Sequence, residues 1–158
     1  MADLSYVKDV LQLVMENRNL KYRQVEDSDS RYVLLFDMNL NKSRLNSCRE
    51  LVIATANEIQ TYAVCPIRAR SDVMPTVAEY ITRANWNLKV GSFEMNYNDG
   101  EVRYHCCLPC GGGDPDAKNV DLVVVVAFLM MERYGDGLLK ALTGFGEPKL
   151  DVAMAEDQ

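Results

Sequence analysis

Six consecutive residues carry the side chains best suited to chemistry: His105-Cys106-Cys107-Leu108-Pro109-Cys110. Imidazole and thiolate groups are the ligands of structural zinc, and a C-x-x-C spacing is typical of redox or metal sites. Alternation along a strand sends Cys106 and Cys107 to opposite faces, so His105 and Cys107 could share a site. The run therefore opens two possibilities, a metal site on His105, Cys107 and Cys110 or a redox pair.

Other features of the sequence favour ordinary structural thiols. A four-ligand zinc site needs a second C-x-x-C, and only the distant Cys48 and Cys65 remain. A reactive pair lies where a helix N-terminus lowers a thiol pKa, whereas this run is followed by glycines and an acidic helix start. Five cysteines is an odd number, which predicts reduced thiols in a chain without an export signal. We therefore expect no bound metal and no cofactor.

Two further motifs resemble sites but have simpler explanations. Gly111-Gly112-Gly113 precedes a predicted helix, whose N-terminus could bind an anion, yet the acidic residues that follow would repel a phosphate. This segment is predicted to be a flexible connector. Glu94, Glu101 and Arg103 flank a turn, and such groups are typical of ion pairs on a solvated sheet face. No catalytic residues are expected.

Apolar spacing predicts the elements that position these residues. Helices are expected over residues 3–18 and 72–87, where apolar residues recur every three or four positions. Alternation and turn residues predict strands at roughly 20–26, 31–38, 49–55 and 59–66, and a hairpin around Asn98-Asp99-Gly100. A last helix begins after Asp114-Pro115 and continues beyond Met131, with a break or kink at Gly135 and Gly137.

The order of these elements is α-β-β-β(-β)-α-β-β-α, which predicts the fold class α+β. We expect an antiparallel sheet of about five or six strands covered by three helices, because interspersed antiparallel strands and helices pack as two layers. Residues 1–146 are predicted to form this single domain. Residues 147–158 are predicted to be a loosely ordered acidic tail.

The last predicted helix is apolar on more than one face between Leu122 and Met131. One face can lie on the sheet, while another needs cover from the other helices or from a second copy of the chain. We therefore select Phe128 and Met131 as candidates for contact with a partner. At the end of the second helix, Arg83, Asn85 and Trp86 form a second candidate surface, or simply cap that helix.

Charge and length exclude several function classes. The chain carries 17 basic and 23 acidic residues, and its net charge of -6 would repel a nucleic acid unless a basic patch compensated, which the sequence lacks. The longest apolar run, residues 122–131, is too short to span a bilayer. The first residues do not show the pattern of a secretory signal. We expect a cytoplasmic protein that binds neither nucleic acid nor membranes.

Three segments together resemble the YbjN family of bacterial sensory transduction regulators. They are Tyr62-Ala63-Val64-Cys65-Pro66, the stretch PTVAEYITRANWNL from Pro75 to Leu88, and the stretch VGSFEMNYNDGEVRY from Val90 to Tyr104. The resemblance covers roughly residues 58–143. It implies a fold like that of type III secretion chaperones, which are small acidic α+β proteins that commonly dimerise and bind other proteins. It carries over no catalytic residues, and the glycine triplet with its nearby cysteines departs from the family pattern.

The sequence leads to one main hypothesis and two alternatives. The main one is a non-enzymatic, cytoplasmic protein-binding module with a regulatory or chaperone-like role, acting as a homodimer on a protein partner of unknown identity. The first alternative is a metal- or redox-active protein that uses the His105/Cys106/Cys107/Cys110 cluster. The second is an enzyme whose site lies in a groove between helix and sheet.

Overall fold

Six antiparallel strands form one open sheet in the computed structural model, which describes residues 2–158. The strands are β1 (Arg23–Asp27), β2 (Tyr32–Asn39), β3 (Ser47–Ala54), β4 (Glu58–Val64), β5 (Ser92–Met95) and β6 (Val102–Pro109). Their order across the sheet is β1-β2-β3-β4-β6-β5, so β1 and β5 are the edge strands. The predicted α+β class and antiparallel sheet are confirmed.

Four helices accompany the sheet rather than the three expected. They are α1 (Leu4–Asn17), α2 (Met74–Asn85), α3 (Ala117–Thr143) and α4 (Pro148–Glu156). The long helix α3 is central, because it contacts β3, β4 and β6 as well as each of the other three helices. The spare apolar face of α3 is therefore covered in large part by its own chain.

Helix α1 forms where the apolar spacing predicts it. Leu4, Val7, Leu11 and Val14 recur along one side and are buried against the core. The Asp3 side chain accepts a hydrogen bond from the Ser5 N–H at 2.9 Å, so it caps the free N–H groups of the first turn. This part of the fold follows from local sequence alone.

The break predicted at Gly135 and Gly137 is wrong, because α3 continues through both residues to Thr143. A Cβ atom on Gly135 would lie closer than 3.0 Å to Ser43 Oγ, and one on Gly137 closer than 3.0 Å to the Tyr80 ring. The Tyr80 hydroxyl donates to the carbonyl of Tyr134 at 2.7 Å. These glycines thus allow the β2–β3 loop and α2 to approach α3 closely. The local sequence does not show that this close approach is why glycines occur within the helix.

The expectation of a loosely ordered tail at 147–158 is also corrected, because most of this segment is helix α4. Val152 and Ala155 are buried against the core. Asp151 is buried as well and accepts hydrogen bonds from Lys140 Nζ and from the backbone N–H of residue 147, both at 2.8 Å. Arg133 donates to two carbonyls at the end of α4. Besides the local bond from residue 147, donors on α3 therefore hold α4 in place.

One face of the sheet lies against the helices and carries the core. Its inward positions are occupied in part by Leu34, Phe36, Val52, Ile59, Ala63, Val102, Tyr104 and Cys106, all buried. Because successive side chains of a strand point to opposite faces, the intervening residues lie on the other face. We call that other face, which bears residues 33, 35, 37, 49, 51, 53, 60, 62, 64, 103, 105 and 107, the open face.

Candidate functional site

The open face carries an apolar strip that lies outside the core. Its members are Val33, Leu35, Leu51, Ile53, Tyr62 and Val64, and none of them belongs to the residues packed around the core. Antiparallel sheets that face water on one side normally place polar residues there. Six apolar side chains on such a face are therefore an unusual feature of this sheet.

Strand pairing makes this strip continuous across three strands. Leu35 on β2 lies opposite Leu51 on β3, and Leu51 lies opposite Tyr62 on β4. In the adjacent row, Val33 lies opposite Ile53. Val33 is buried, at 5% exposed, and the other five members of the strip are half-buried. The strip is therefore one contiguous patch.

Ion pairs border the strip and neutralise each other within the chain. Asp37 and Arg49 lie opposite each other on β2 and β3, with Arg49 Nε at 2.9 Å from Asp37 Oδ1. The hydrogen bond from Arg49 holds the pKa of Asp37 below its ordinary value. On the other side, Arg103 Nε lies 2.5 Å from Glu94 Oε1. The rim of the strip thus offers paired charges rather than a field of one sign.

The Tyr62 ring organises the polar end of the open face. His105 stacks on it with ring centroids 4.4 Å apart, and the Arg103 guanidinium lies 4.3 Å from its centroid. Such cation–π contacts favour a fixed Arg position. The Tyr62 hydroxyl donates to the Gln60 side chain, which in turn donates to the Glu58 carboxylate. This end of the face is a preorganised polar array beside the apolar strip.

The cysteine run is divided between the two faces, as strand alternation predicts. Cys106 is buried on the helix side, where its thiol donates to the Val123 carbonyl at 3.1 Å. Cys107 is exposed on the open face, 3.7 Å from the Glu58 carboxylate. Burial raises the pKa of Cys106 to about 12, and burial together with Glu58 raises the pKa values of Cys107 and Cys110. Raised pKa values disfavour the nucleophilic thiolate.

The structure does not gather His105, Cys107 and Cys110 into a metal site. Across residues 2–158, no group of three or more histidine, cysteine or carboxylate side chains could hold a metal ion. Cys110 is buried, and its thiol donates to the Leu108 carbonyl at 3.6 Å. The geometry therefore fits structural thiols better than ligands.

Comparison with known proteins identifies the family. The model of the family described as "putative bacterial sensory transduction regulator", YbjN, matches residues 8–140, which is most of the chain. The chain belongs to the YbjN family. A search of curated proteins found no match, and a search of solved structures found none either. No helix within residues 2–158 of this YbjN chain is long and apolar enough to cross a membrane.

At the end of α2 the three candidate residues have different surroundings. Arg83 pairs with Glu79 one helical turn earlier, at 2.8 Å. The Asn85 amide makes two hydrogen bonds with the backbone of Phe93, at 2.9 and 2.7 Å, and so joins α2 to β5. Trp86 is 88% exposed. Trp86 is thus the candidate with the most surface available to a partner.

The two candidates on α3 differ in burial. Met131 is fully buried in the core and leaves no surface to a partner, so its selection as a contact residue is corrected. Phe128 is half-buried and packs against the core. The apolar residues that α3 does expose are Leu122 and Leu129, at 47% and 43%.

The sequence analysis missed the apolar strip of the open face, although a signal for it exists. Residues 32–36 and 51–54 are uninterrupted apolar runs, YVLLF and LVIA. Such runs are typical of strands with both faces buried, whereas a half-exposed strand alternates. Two adjacent strands with this pattern predict an apolar patch on the face opposite the helices.

Proposed function

We propose that this YbjN chain is a non-enzymatic regulator that acts by binding other proteins, in a regulatory or chaperone-like role, and that it does so as a homodimer joined through the open face. The observation that carries the proposal is the contiguous apolar strip of the open face, which none of the four helices covers. Burying an apolar surface of this kind is the main driving force of association. The description of the family supports the regulatory role.

Charge does not oppose a second copy of the chain as the occupant of the open face. Two molecules of net charge -6 repel each other wherever their acidic surfaces meet. On the open face, however, Asp37 is paired with Arg49 and Glu94 with Arg103, so the electrostatic cost of contact there is small. A two-fold contact also places each apolar strip on an identical strip.

The outer side of α3 is the competing dimer surface. It offers two exposed apolar residues, Leu122 and Leu129. Because they lie on a helix, they have no cross-strand apolar partners of the kind that the strip has. Asp121 beside them forms an ion pair with Arg18, 2.6 Å away. The strip on the sheet has more apolar members, and strand pairing makes them contiguous, so we favour it for the dimer.

The non-enzymatic and cytoplasmic parts of the proposal have their own support. Burial raises the pKa of Cys65 to about 11 and that of Cys106 to about 12, so these thiols remain protonated and poorly nucleophilic at neutral pH. All five cysteines are free thiols. Free thiols are typical of proteins in a reducing compartment.

Light scattering after size exclusion tests the dimer and its surface together. We expect the wild type to show twice the 17.8 kDa chain mass. Leu51→Asp should give a monomer, because it places an unpaired charge in the middle of the strip, while Leu122→Asp should remain a dimer. A wild type that stays monomeric at high concentration would contradict the proposal. So would the opposite response of the two variants.

A further inference from the structure

Glu50 is a carboxylic acid enclosed in the core. It lies on β3, on the face toward the helices, between Phe36 of β2 and Ala63 of β4. Its side chain is 0% exposed. Within the described chain neither carboxyl oxygen has a hydrogen-bond partner. A buried polar group without partners is rare in native proteins and costs free energy.

No cation compensates this carboxyl from the elements packed against β3, which are β2, β4, α1 and α3. The buried titratable groups on the helix side of the sheet are thiols and phenols. They include Cys48 on its own strand, Tyr32 on β2, Cys65 directly after β4, Tyr104 and Cys106 on β6, and Tyr134 on α3. Burial and the nearby Glu50 both raise the pKa of Cys106.

The charged residues of the two helices are engaged at the surface instead. Three of them form ion pairs: Lys8 with Asp27, Asp121 with Arg18, and Lys140 with Asp151. Glu132 and Asp136 accept hydrogen bonds from the backbone N–H groups of Lys42 and Arg44. Arg133 donates to the end of α4. Asp9, Glu16 and Lys118 are exposed. Within residues 2–158 Glu50 therefore has no counter-ion, and burial alone raises its pKa well above the ordinary value.

We propose that Glu50 makes the seating of α3 on the sheet dependent on pH. The neutral side chain fits beneath the helix, whereas the ionised side chain favours a state in which α3 has lifted from β3 and β4 and water reaches the carboxylate. In the lifted state, apolar residues such as Val124 and Ala127 become accessible to a protein partner. Loss of a proton is thereby linked to the exposure of a new binding surface.

The direction of the effect follows from linkage. The seated state keeps the proton that the lifted state releases, so the stability of the seated state is complete below the ordinary carboxyl pKa and falls as pH rises toward the raised pKa of Glu50. In that interval the population of the lifted state increases by about tenfold per pH unit. Above the raised pKa the dependence ends.

Hydrogen exchange of the α3 amides between pH 5 and 8, corrected for the intrinsic exchange rates, tests this inference. For the wild type we expect protection of α3 to fall by up to about tenfold per pH unit over part of this range. Glu50→Gln, which cannot ionise, should show no such dependence. Glu16→Gln, an exposed carboxyl on α1, is the matched control and should behave like the wild type.

A second variant, Glu50→Met, covers the case in which the buried amide of Glu50→Gln disturbs the fold. Glu50→Met has a similar length and no polar group to desolvate, so α3 should be protected more strongly than in the wild type at pH 8 and without pH dependence. The inference is overturned when either variant retains the wild-type pH dependence or when Glu50→Met protects α3 less than the wild type does. Failure of both variants to fold would also overturn it, because a neutral side chain must fit beneath α3.

Discussion

At the scale of single residues, Gly100 shows how one backbone position determines the β5–β6 hairpin. Its φ is 76°, in the left-handed region that glycine adopts without strain. Its N–H donates to the Asn96 carbonyl at 2.7 Å, and its own carbonyl accepts from the Ala69 N–H at 2.8 Å. The Asp-Gly turn signal of the sequence thus corresponds to a turn that also holds the segment before α2.

Gly100→Val should therefore destabilise the protein by at least about 2 kcal/mol, because a β-branched residue is strained at this φ and its Cβ would collide with the Ala69 carbonyl. Urea unfolding measures the loss. Gly112→Val is the matched control: a Cβ there meets no described atom within 4 Å, so we expect a change within about 0.5 kcal/mol. Equal stability of the two variants would refute this account of the turn.

Trp86 gives a second prediction at the residue scale, because it is the single tryptophan of the chain and almost fully exposed. Its fluorescence should be quenched by acrylamide nearly as efficiently as free tryptophan, in the dimer as well as in a monomeric variant. Trp86→Ala should change the free energy of unfolding by less than about 0.5 kcal/mol. Strong protection of the indole in the isolated protein would place Trp86 in an interface that we do not propose.

At the scale of elements, the sequence predicts features that depend on local signals better than features that depend on contacts between elements. Helix α1 and the β5–β6 hairpin were predictable, because apolar spacing and an Asp-Gly turn are local signals. The role of Gly137 inside α3 was not, because the glycine leaves room for the Tyr80 ring of another helix. Helix α4 had a local signal at its start, Pro148 followed by Asp151 in the first turn, which the sequence analysis did not use; the Lys140–Asp151 contact then joins it to α3. The open-face strip had a signal in its uninterrupted apolar runs.

Gly137→Ala tests the packing of α2 on α3. In an isolated helix this change would stabilise by about 1 kcal/mol, because alanine has the higher helix propensity. Here the added methyl group meets the Tyr80 ring, so we expect a net loss of about 1–3 kcal/mol in urea unfolding. A stabilised variant would show that the close approach of the two helices is not needed.

Asp151→Ala tests how α4 is held. The change removes the acceptor for Lys140 and for the backbone N–H at the start of α4, and we expect a loss of about 1–3 kcal/mol. Hydrogen exchange of residues 148–156 should increase more than that of α3. Asp157→Ala, an exposed acid at the end of the same helix, serves as the control and should leave this exchange unchanged.

At the scale of the whole molecule, one sheet presents two apolar faces to two different partners. Helices α1, α2 and α3 contact the strands on the first face, α4 packs on α2 and α3, and together they complete the core within the chain. The second face has an apolar strip with paired charges around it, and we assign it to another copy of the chain. A sheet with one covered and one uncovered apolar face accounts for both the fold of the YbjN chain and the proposed mode of action.

Hydroxyl-radical labelling of side chains, compared between high and low protein concentration, tests this assignment most directly. We predict that labelling of Leu35, Leu51 and Tyr62 falls when the protein is concentrated enough to dimerise, while labelling of Leu122 and Leu129 on α3 stays the same. Labelling of the strip that does not depend on concentration, or protection of the α3 residues in its place, would contradict the account.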